Sequence, residues 1–276
     1  SANGPTAPSN SWAKGSHKTW KMDIDKRSMF IGNKDQLIVA DVDSGYKFST
    51  VTAYDVSGDK PKEQWSAEPR TDSFYLSYWG DYVVAGDILI KADTGKTTDA
   101  PWTENPTIVG AYAFSCDHKD QCTGWNAAKP DQTLWETTVS GSSDFQDIPS
   151  ANGSTYQGDG KLIVQASEST WIDVVTGDVY DFDTSSSETV FALSDGWCKY
   201  DYKKERFTIL SPTGEERESF DGEYPEDVSA APTLDHPRVS AAELKSFIQD
   251  EDVSWAKIKI TRAKNSSSSC PTKLTI

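Results

Sequence analysis

Residues 171–177 read Trp-Ile-Asp-Val-Val-Thr-Gly, and residues 53–58 read Ala-Tyr-Asp-Val-Ser-Gly. Each joins an apolar strand-like run to an Asp and then to a small-residue turn ending in Gly. The Asp carboxylate can take backbone amides two residues further on. The Gly supplies the positive φ of a tight hairpin. Working outward, the same order recurs at Leu89-Ile90-Lys91-Ala92-Asp93-Thr94-Gly95 and at Thr208-Ile209-Leu210-Ser211-Pro212-Thr213-Gly214. A degenerate copy is Gly124-Trp125-Asn126-Ala127-Ala128-Lys129-Pro130. An aromatic follows each turn: Trp65, Trp102, Trp135, Tyr180 or Phe182, and Phe220. The repeating unit is thus a β-hairpin with an aromatic expected to pack between neighbouring sheets.

Successive turns lie about 35–47 residues apart, the period of a four-stranded propeller blade. Two further strands are therefore expected between hairpins. Asp35–Ala40, Asp81–Gly86 and Gly160–Gln165 each place a β-branched run after a polar start, as a buried inner strand does. Thr189–Leu193 reads as a less regular inner strand of the same kind. The expected fold is all-β, a single β-propeller of six or seven four-stranded blades with one short C-terminal helix. Residues 1–18 are rich in Ser, Pro and Gly and read as a flexible linker or expression scar. Residues 19–276 form the expected propeller domain, with a helical insertion near 240–250.

That helix is marked by Ser240-Ala241-Ala242-Glu243, a capping box. Leu244, Phe247 and Ile248 then give it one apolar face. Glu215–Asp235 is acidic and reads as loop. Ser254–Arg262 and Pro271–Ile276 read as strands. Met29–Ile31 or Thr19–Ile24 is expected to pair with them and close the ring.

The pattern Ala-x-Asp-x-x-Thr-Gly-x-x-x-Trp resembles the pyrroloquinoline-quinone-like propeller repeat. Asp173-Val174-Val175-Thr176-Gly177 and Ala53–Gly58 carry the resemblance, which covers roughly residues 28–220. In Ala53–Gly58 one residue is missing, and Ala92-Asp93-Thr94-Gly95 lacks the two residues between Asp and Thr. The resemblance implies blades, not an activity, because the repeat residues hold sheets together. It includes quinoprotein dehydrogenases and many non-enzymatic scaffolds, and the non-enzymatic branch is the one expected here. A quinoprotein would need a calcium site and a catalytic carboxylate, and often carries two adjacent cysteines bridged to each other. No two cysteines here are adjacent.

Cys116 and Cys122 flank a polar loop and are expected to bridge, which implies an oxidising compartment. The competing reading makes Cys116, His118 and Cys122 metal ligands, yet no second paired-ligand motif completes a site. Cys198 and Cys270 are the second expected bridge, provided their Cα atoms come within ~7 Å. Asp41-Val42-Asp43-Ser44-Gly45 and Asp181-Phe182-Asp183 offer alternating oxygens but lack the Gly and Glu positions of a calcium loop. There is no Gly-x-Ser-x-Gly elbow, and none of the three histidines sits in a triad context. No catalytic residue, cofactor or metal is called.

The formal net charge is −16, which opposes nucleic-acid binding and favours cationic peptides or proteins. No run reaches the ~18 apolar residues of a membrane span. Aromatics beside carboxylates can bind a carbohydrate or peptide, and Tyr75, Tyr78 and Trp79 are the ligand-binding candidates. The expected function is an extracytoplasmic binding or scaffold domain, secreted or tethered by an anchor outside this chain, and monomeric. Its partners would be a protein, a peptide or a glycan at a cell surface. The alternatives are a quinoprotein-type oxidoreductase or hydrolase using the propeller channel, and a ligand-sensing ectodomain.

Overall fold

The computed structural model describes residues 21–22, 24–71, 73, 75–143, 155–224 and 239–249. The linker at 1–18, the strands expected at 254–262 and 271–276, and Cys270 lie outside the described residues. The chain divides into two compact units. One takes in residues 1–184 with 231–236, and the other 185–230 with 237–276.

The first unit contains four sheets, each a four-stranded antiparallel meander in chain order. The first sheet is β1 (Met29–Gly32), β2 (Gln36–Val42), β3 (Phe48–Asp55) and β4 (Lys62–Ala67). The second is β5 (Leu76–Trp79), β6 (Tyr82–Ala85), β7 (Ile88–Lys91) and β8 (Thr97–Asp99). The third is β9 (Thr107–Val109), β10 (Tyr112–Cys116), β11 (Gln121–Asn126) and β12 (Lys129–Thr138). The fourth is β13 (Thr155–Gly158), β14 (Lys161–Gln165), β15 (Thr170–Asp173) and β16 (Val179–Asp181). The second unit holds β17 (Glu188–Leu193), β18 (Gly196–Asp201), β19 (Arg206–Leu210), β20 (Glu216–Asp221) and helix α1 (Ala241–Gln249). The fold is all-β, built from four-stranded antiparallel sheets of the propeller-blade kind, five of them among the described residues.

The apolar runs are continuous because inner strands bury both faces. On β6, Val83 and Ala85 join Ile38, Val51 and Trp65 of the first sheet, while Val84 between them joins Trp102, Ala113 and Trp125 on the other side. On β7, Ile90 and Leu89 divide in the same way. Side chains alternate along a strand, so an inner strand with apolar layers on both sides needs no polar face. Each such side chain contributes roughly 1.5–3 kcal/mol by leaving water.

All five sequence-marked turns join the third strand of a sheet to its fourth. Asp55 Oδ1 accepts the Ser57 amide at 2.9 Å, Asp173 Oδ1 that of Val175 at 3.1 Å, and Asn126 Oδ1 that of Ala128 at 2.9 Å. The aromatics then tie sheet to sheet. Trp65 on β4 donates Nε1–H to Ala92 O at 2.8 Å, and its ring covers Gly95. Trp135 on β12 donates to Val174 O at 2.9 Å, and its ring covers Gly177. In both cases an indole lies over the turn glycine of the next sheet. Trp102 departs from this pattern. It lies beyond β8, donates to Gly86 O of its own sheet at 3.1 Å, and meets Trp125 edge-on at 5.8 Å. Trp79 on β5 makes the bond to the third sheet instead, reaching Ala111 O at 3.0 Å.

Two expectations change. Thr189–Leu193 belongs to the first strand of the last sheet, and the inner strand is β18, whose Trp197 and Cys198 are fully buried. Glu216–Asp221 is a strand, not loop. Pairing with β19 and the buried Phe220 fix it, while its charged residues stay at the surface. Met29–Gly32 is the edge strand of the first sheet and pairs with β2; the C-terminal strands expected to pair with it lie outside the described residues.

Helix α1 begins as read. Ser240 Oγ accepts the Glu243 amide at 3.2 Å, and the Glu243 carboxylate accepts the Ser240 amide at 2.7 Å. Leu244 and Ala241 are buried on the last sheet against Tyr200, Phe207 and Phe220.

Candidate functional site

The sequence-named aromatics serve packing. Trp79 is 0% exposed and therefore shows no face to a ligand. Tyr78 is half-buried against the first two sheets and donates to Gln36 Oε1 at 3.3 Å. Burial pushes its hydroxyl up to about 12. Tyr75 packs partly buried beside Trp79 and Trp102, and burial raises it as well.

Cys116 and Cys122 are directly paired across β10 and β11, and their sulfurs are bonded to each other. That bond removes them as thiolate ligands. The bridged hairpin positions Asp120, whose carboxylate accepts the Ser143 amide at 2.9 Å and the Gly141 amide at 3.0 Å. Those bonds hold the Asp120 carboxyl below its ordinary value. Cys198 is a fully buried thiol, and burial pushes its pKa up. Asp43, considered for calcium, has Oδ1 occupied by the Gly45 and Lys47 amides at 2.8 and 3.0 Å.

A different set of aromatics is gathered on the last sheet. β18 ends at Tyr200-Asp201, and residues 202–205 turn the chain into β19. Asp201 builds this turn by accepting the Lys203 amide at 2.9 Å and the Lys204 amide at 3.3 Å, with Lys204 Nζ 3.2 Å from its other oxygen. Burial opposes its charge, yet those bonds outweigh the burial and hold its carboxyl below the ordinary value. The Tyr202 amide donates to Ser187 O at 3.0 Å, so the backbone under the ring is fixed.

After β20 the chain returns beside this turn, with the Gly222 amide donating to Glu205 O at 2.8 Å. Gly222 has to be small here, because a Cβ would lie 2.4 Å from Ile248 Cγ2 of α1. The Tyr200 hydroxyl, 2% exposed as a residue, closes the arrangement. It accepts the Tyr224 amide at 3.0 Å and donates to Gly222 O at 3.3 Å. Burial raises its pKa, as it does that of Tyr224.

Tyr202 stands on this base. Its ring meets Tyr200 at 5.0 Å and 89°, and Tyr224 at 5.6 Å and 46°. It nevertheless remains 54% exposed. Glu205 and Glu223 flank it on the two hydrogen-bonded segments, and neither has an ion-pair partner among the described residues. The result is an anchored ring with an open side and two available carboxylates. Sequence reading missed it because Tyr224 comes from another part of the chain. The local signal was Tyr200-Asp201-Tyr202, which puts two tyrosines on one side of a strand.

No family model matches the chain, and no curated protein matches it. Among solved structures it is similar to apo AztD from Citrobacter koseri, with TM-score 0.41 and 9% identity over 70% of this chain and 59% of that one. A second Citrobacter koseri AztD structure gives TM-score 0.41 and 9% identity over 70% and 58%. Saccharomyces cerevisiae Sqt1 gives TM-score 0.40 and 11% identity over 68% and 58%. The chain thus spans under three fifths of the length of each. The blade assignment rests on the sheets' own order and pairing.

Proposed function

We propose that this chain is a non-catalytic binding or scaffold domain that works outside the cytoplasm, as the soluble part of a secreted or membrane-tethered protein. The observation that carries the reading is Tyr202, held half in solvent on a braced aromatic base while the other rings of its sheet pack inward. Ordering a tyrosine at the surface is useful to a binding face, because it offers large contact area at little entropic cost on association. The Cys116–Cys122 bridge supports the compartment. The likeness of the Asp–Gly–Trp repeat to non-enzymatic pyrroloquinoline-quinone-like propellers supports the scaffold reading.

The test compares wild-type protein with Tyr202→Ala on peptide and glycan arrays, alongside native and denatured mass spectrometry. A ligand class bound by wild type and lost in the variant supports the reading. An organic adduct or a metal that leaves on denaturation, with binding indifferent to Tyr202, overturns it in favour of an enzyme.

A further inference from the structure

The Tyr202 patch has a sign as well as a shape. Its base is closed on the protein side: Tyr200 is buried and both of its hydrogen-bonding directions are taken by Gly222 and Tyr224. What faces outward is the remaining surface of the Tyr202 ring, with Glu205 three residues along the same turn. Glu223 is exposed and follows Gly222, whose amide the Glu205 carbonyl accepts just beyond β20. The turn's cations are unequally committed. Lys204 is paired with Asp201 and Arg206 with Asp221, at 3.2 and 3.0 Å. Lys203 has no ion-pair partner among the described residues. An exposed aromatic face attracts cations through its quadrupole. A flanking carboxylate adds a charge-assisted hydrogen bond that only a donor-bearing cation can use. A planar guanidinium satisfies both at once, stacking on the ring while it forks onto a carboxylate.

We propose that this patch receives an arginine side chain of a partner protein, with its guanidinium on the open face of Tyr202 and its N–H groups directed to Glu205 and Glu223. The proposal rests on the binding reading above and names the partner chemistry. The chain's net charge of −16 draws cationic segments toward it from a distance. The patch supplies the local geometry that field alone does not.

The test titrates the full chain with three fluorescent peptides of one sequence, Gly-Xaa-Gly-Xaa-Gly, in which Xaa is arginine, lysine or citrulline. Citrulline keeps the shape of arginine and removes the charge. The arginine peptide should bind tightest and citrulline weakest. Tyr202→Ala leaves the net charge unchanged and should weaken arginine binding about fivefold, while Tyr202→Phe stays within about twofold. The pair Glu205→Gln and Glu223→Gln should weaken binding more than the pair Glu63→Gln and Glu136→Gln, which removes the same charge from the first unit. Lys203→Gln should tighten it. Unchanged thermal unfolding of each variant establishes that its fold is intact.

Equal loss from both Glu pairs, with indifference to Tyr202→Ala, would mean diffuse charge attraction only and would overturn the proposal. Citrulline binding as well as arginine, in a Tyr202-dependent way, would also overturn it and leave the binding reading standing. If none of the peptides binds and no array ligand depends on Tyr202, both fail.

Discussion

Gly177→Ala tests the packing of indole on glycine that joins the third and fourth sheets. Gly177 has φ +80°, and an added Cβ would lie 2.8 Å from Cγ and Cδ2 of Trp135. Gly160, in the same sheet, has φ +74° with nothing within 4 Å of such a Cβ. The two positions therefore share a backbone cost and differ in the ring. The left-handed conformation costs a non-glycine residue about 1–2 kcal/mol. Restricting the unfolded chain offsets roughly 0.4–1 kcal/mol of that, so Gly160→Ala should lose about 0–1.6 kcal/mol. At Gly177 the buried indole has to move. Overpacking of this kind costs about 1–3 kcal/mol, and loosening the Nε1–H bond to Val174 O adds about 0.5–1.5 kcal/mol. Gly177→Ala should therefore lie about 2–4 kcal/mol below Gly160→Ala in urea unfolding followed by tryptophan fluorescence. Combining it with Trp135→Ala should return the glycine substitution most of the way to the Gly160 level, because the ring atoms at 2.8 Å are gone and only Cβ, at 3.0 Å, stays close. If Gly177→Ala and Gly160→Ala unfold within about 0.5 kcal/mol of each other, the ring does not depend on the glycine. The account of how these sheets are joined would then be refuted.

Asp173 is 0% exposed, takes the amides of Leu162 and Val175, and sits 3.7 Å from Lys161 Nζ. Asp173→Ala should cost about 1–3 kcal/mol for each of the two amides it orphans by equilibrium unfolding, and Lys161→Met should also destabilise, because it leaves the buried carboxylate without its counter-ion. Replacing Cys116 and Cys122 together by Ser should cost roughly 2–2.5 kcal/mol, the chain-entropy value for so short a loop. Wild-type protein under reductant should show a similar loss. The Asp120 carboxyl is held below its ordinary value of 3.8, mainly by the Ser143 and Gly141 amides. Its contribution is present above 3.8 and is lost as pH falls through the lower folded value. Hydrogen exchange at Gly141 and Ser143 should therefore accelerate selectively in acid, and Asp120→Asn should remove that pH dependence. Native Cys198 should resist thiol reagents at pH 8 and react at once after unfolding in reductant, since burial both shields the sulfur and raises its pKa.

The blades were legible where their chemistry is local. Five turns could be placed because short polar turn residues, Asp followed by Gly in three of them, dictate a hairpin within a few residues, and the structure makes each of them a third-to-fourth strand connection. Strand order within the last sheet was less legible. Phe191-Ala192-Leu193 and Trp197-Cys198 are both apolar, and only pairing with β19 says which lies inside. β20 was hidden because five of its six residues are polar or charged, leaving Phe220 as its one apolar signal. The candidate site was least legible. Tyr75, Tyr78 and Trp79 share one run and drew attention as a cluster, but Trp79 is buried and the two tyrosines pack half-buried against its sheets. Tyr202 owes its position to Tyr224, 22 residues away, and no local periodicity announces that meeting.

In the first unit Trp65 and Trp135 both point forward along the chain. Trp65 finds its glycine 30 residues later, and Trp135 finds its own 42 residues later. During synthesis, then, a finished sheet still exposes its tryptophan until the next hairpin has been made. Assembly of this unit is thereby polarised from the N-terminal side, each sheet completing its predecessor through contacts that close loops of only one blade's length. Short loops close at low entropic cost, so such a chain can form order as it emerges. A ribosome halted one blade early would leave a single sticky indole at the frontier. That exposed ring, more than any unpaired strand, is where a chaperone would be expected to hold a nascent chain of this protein.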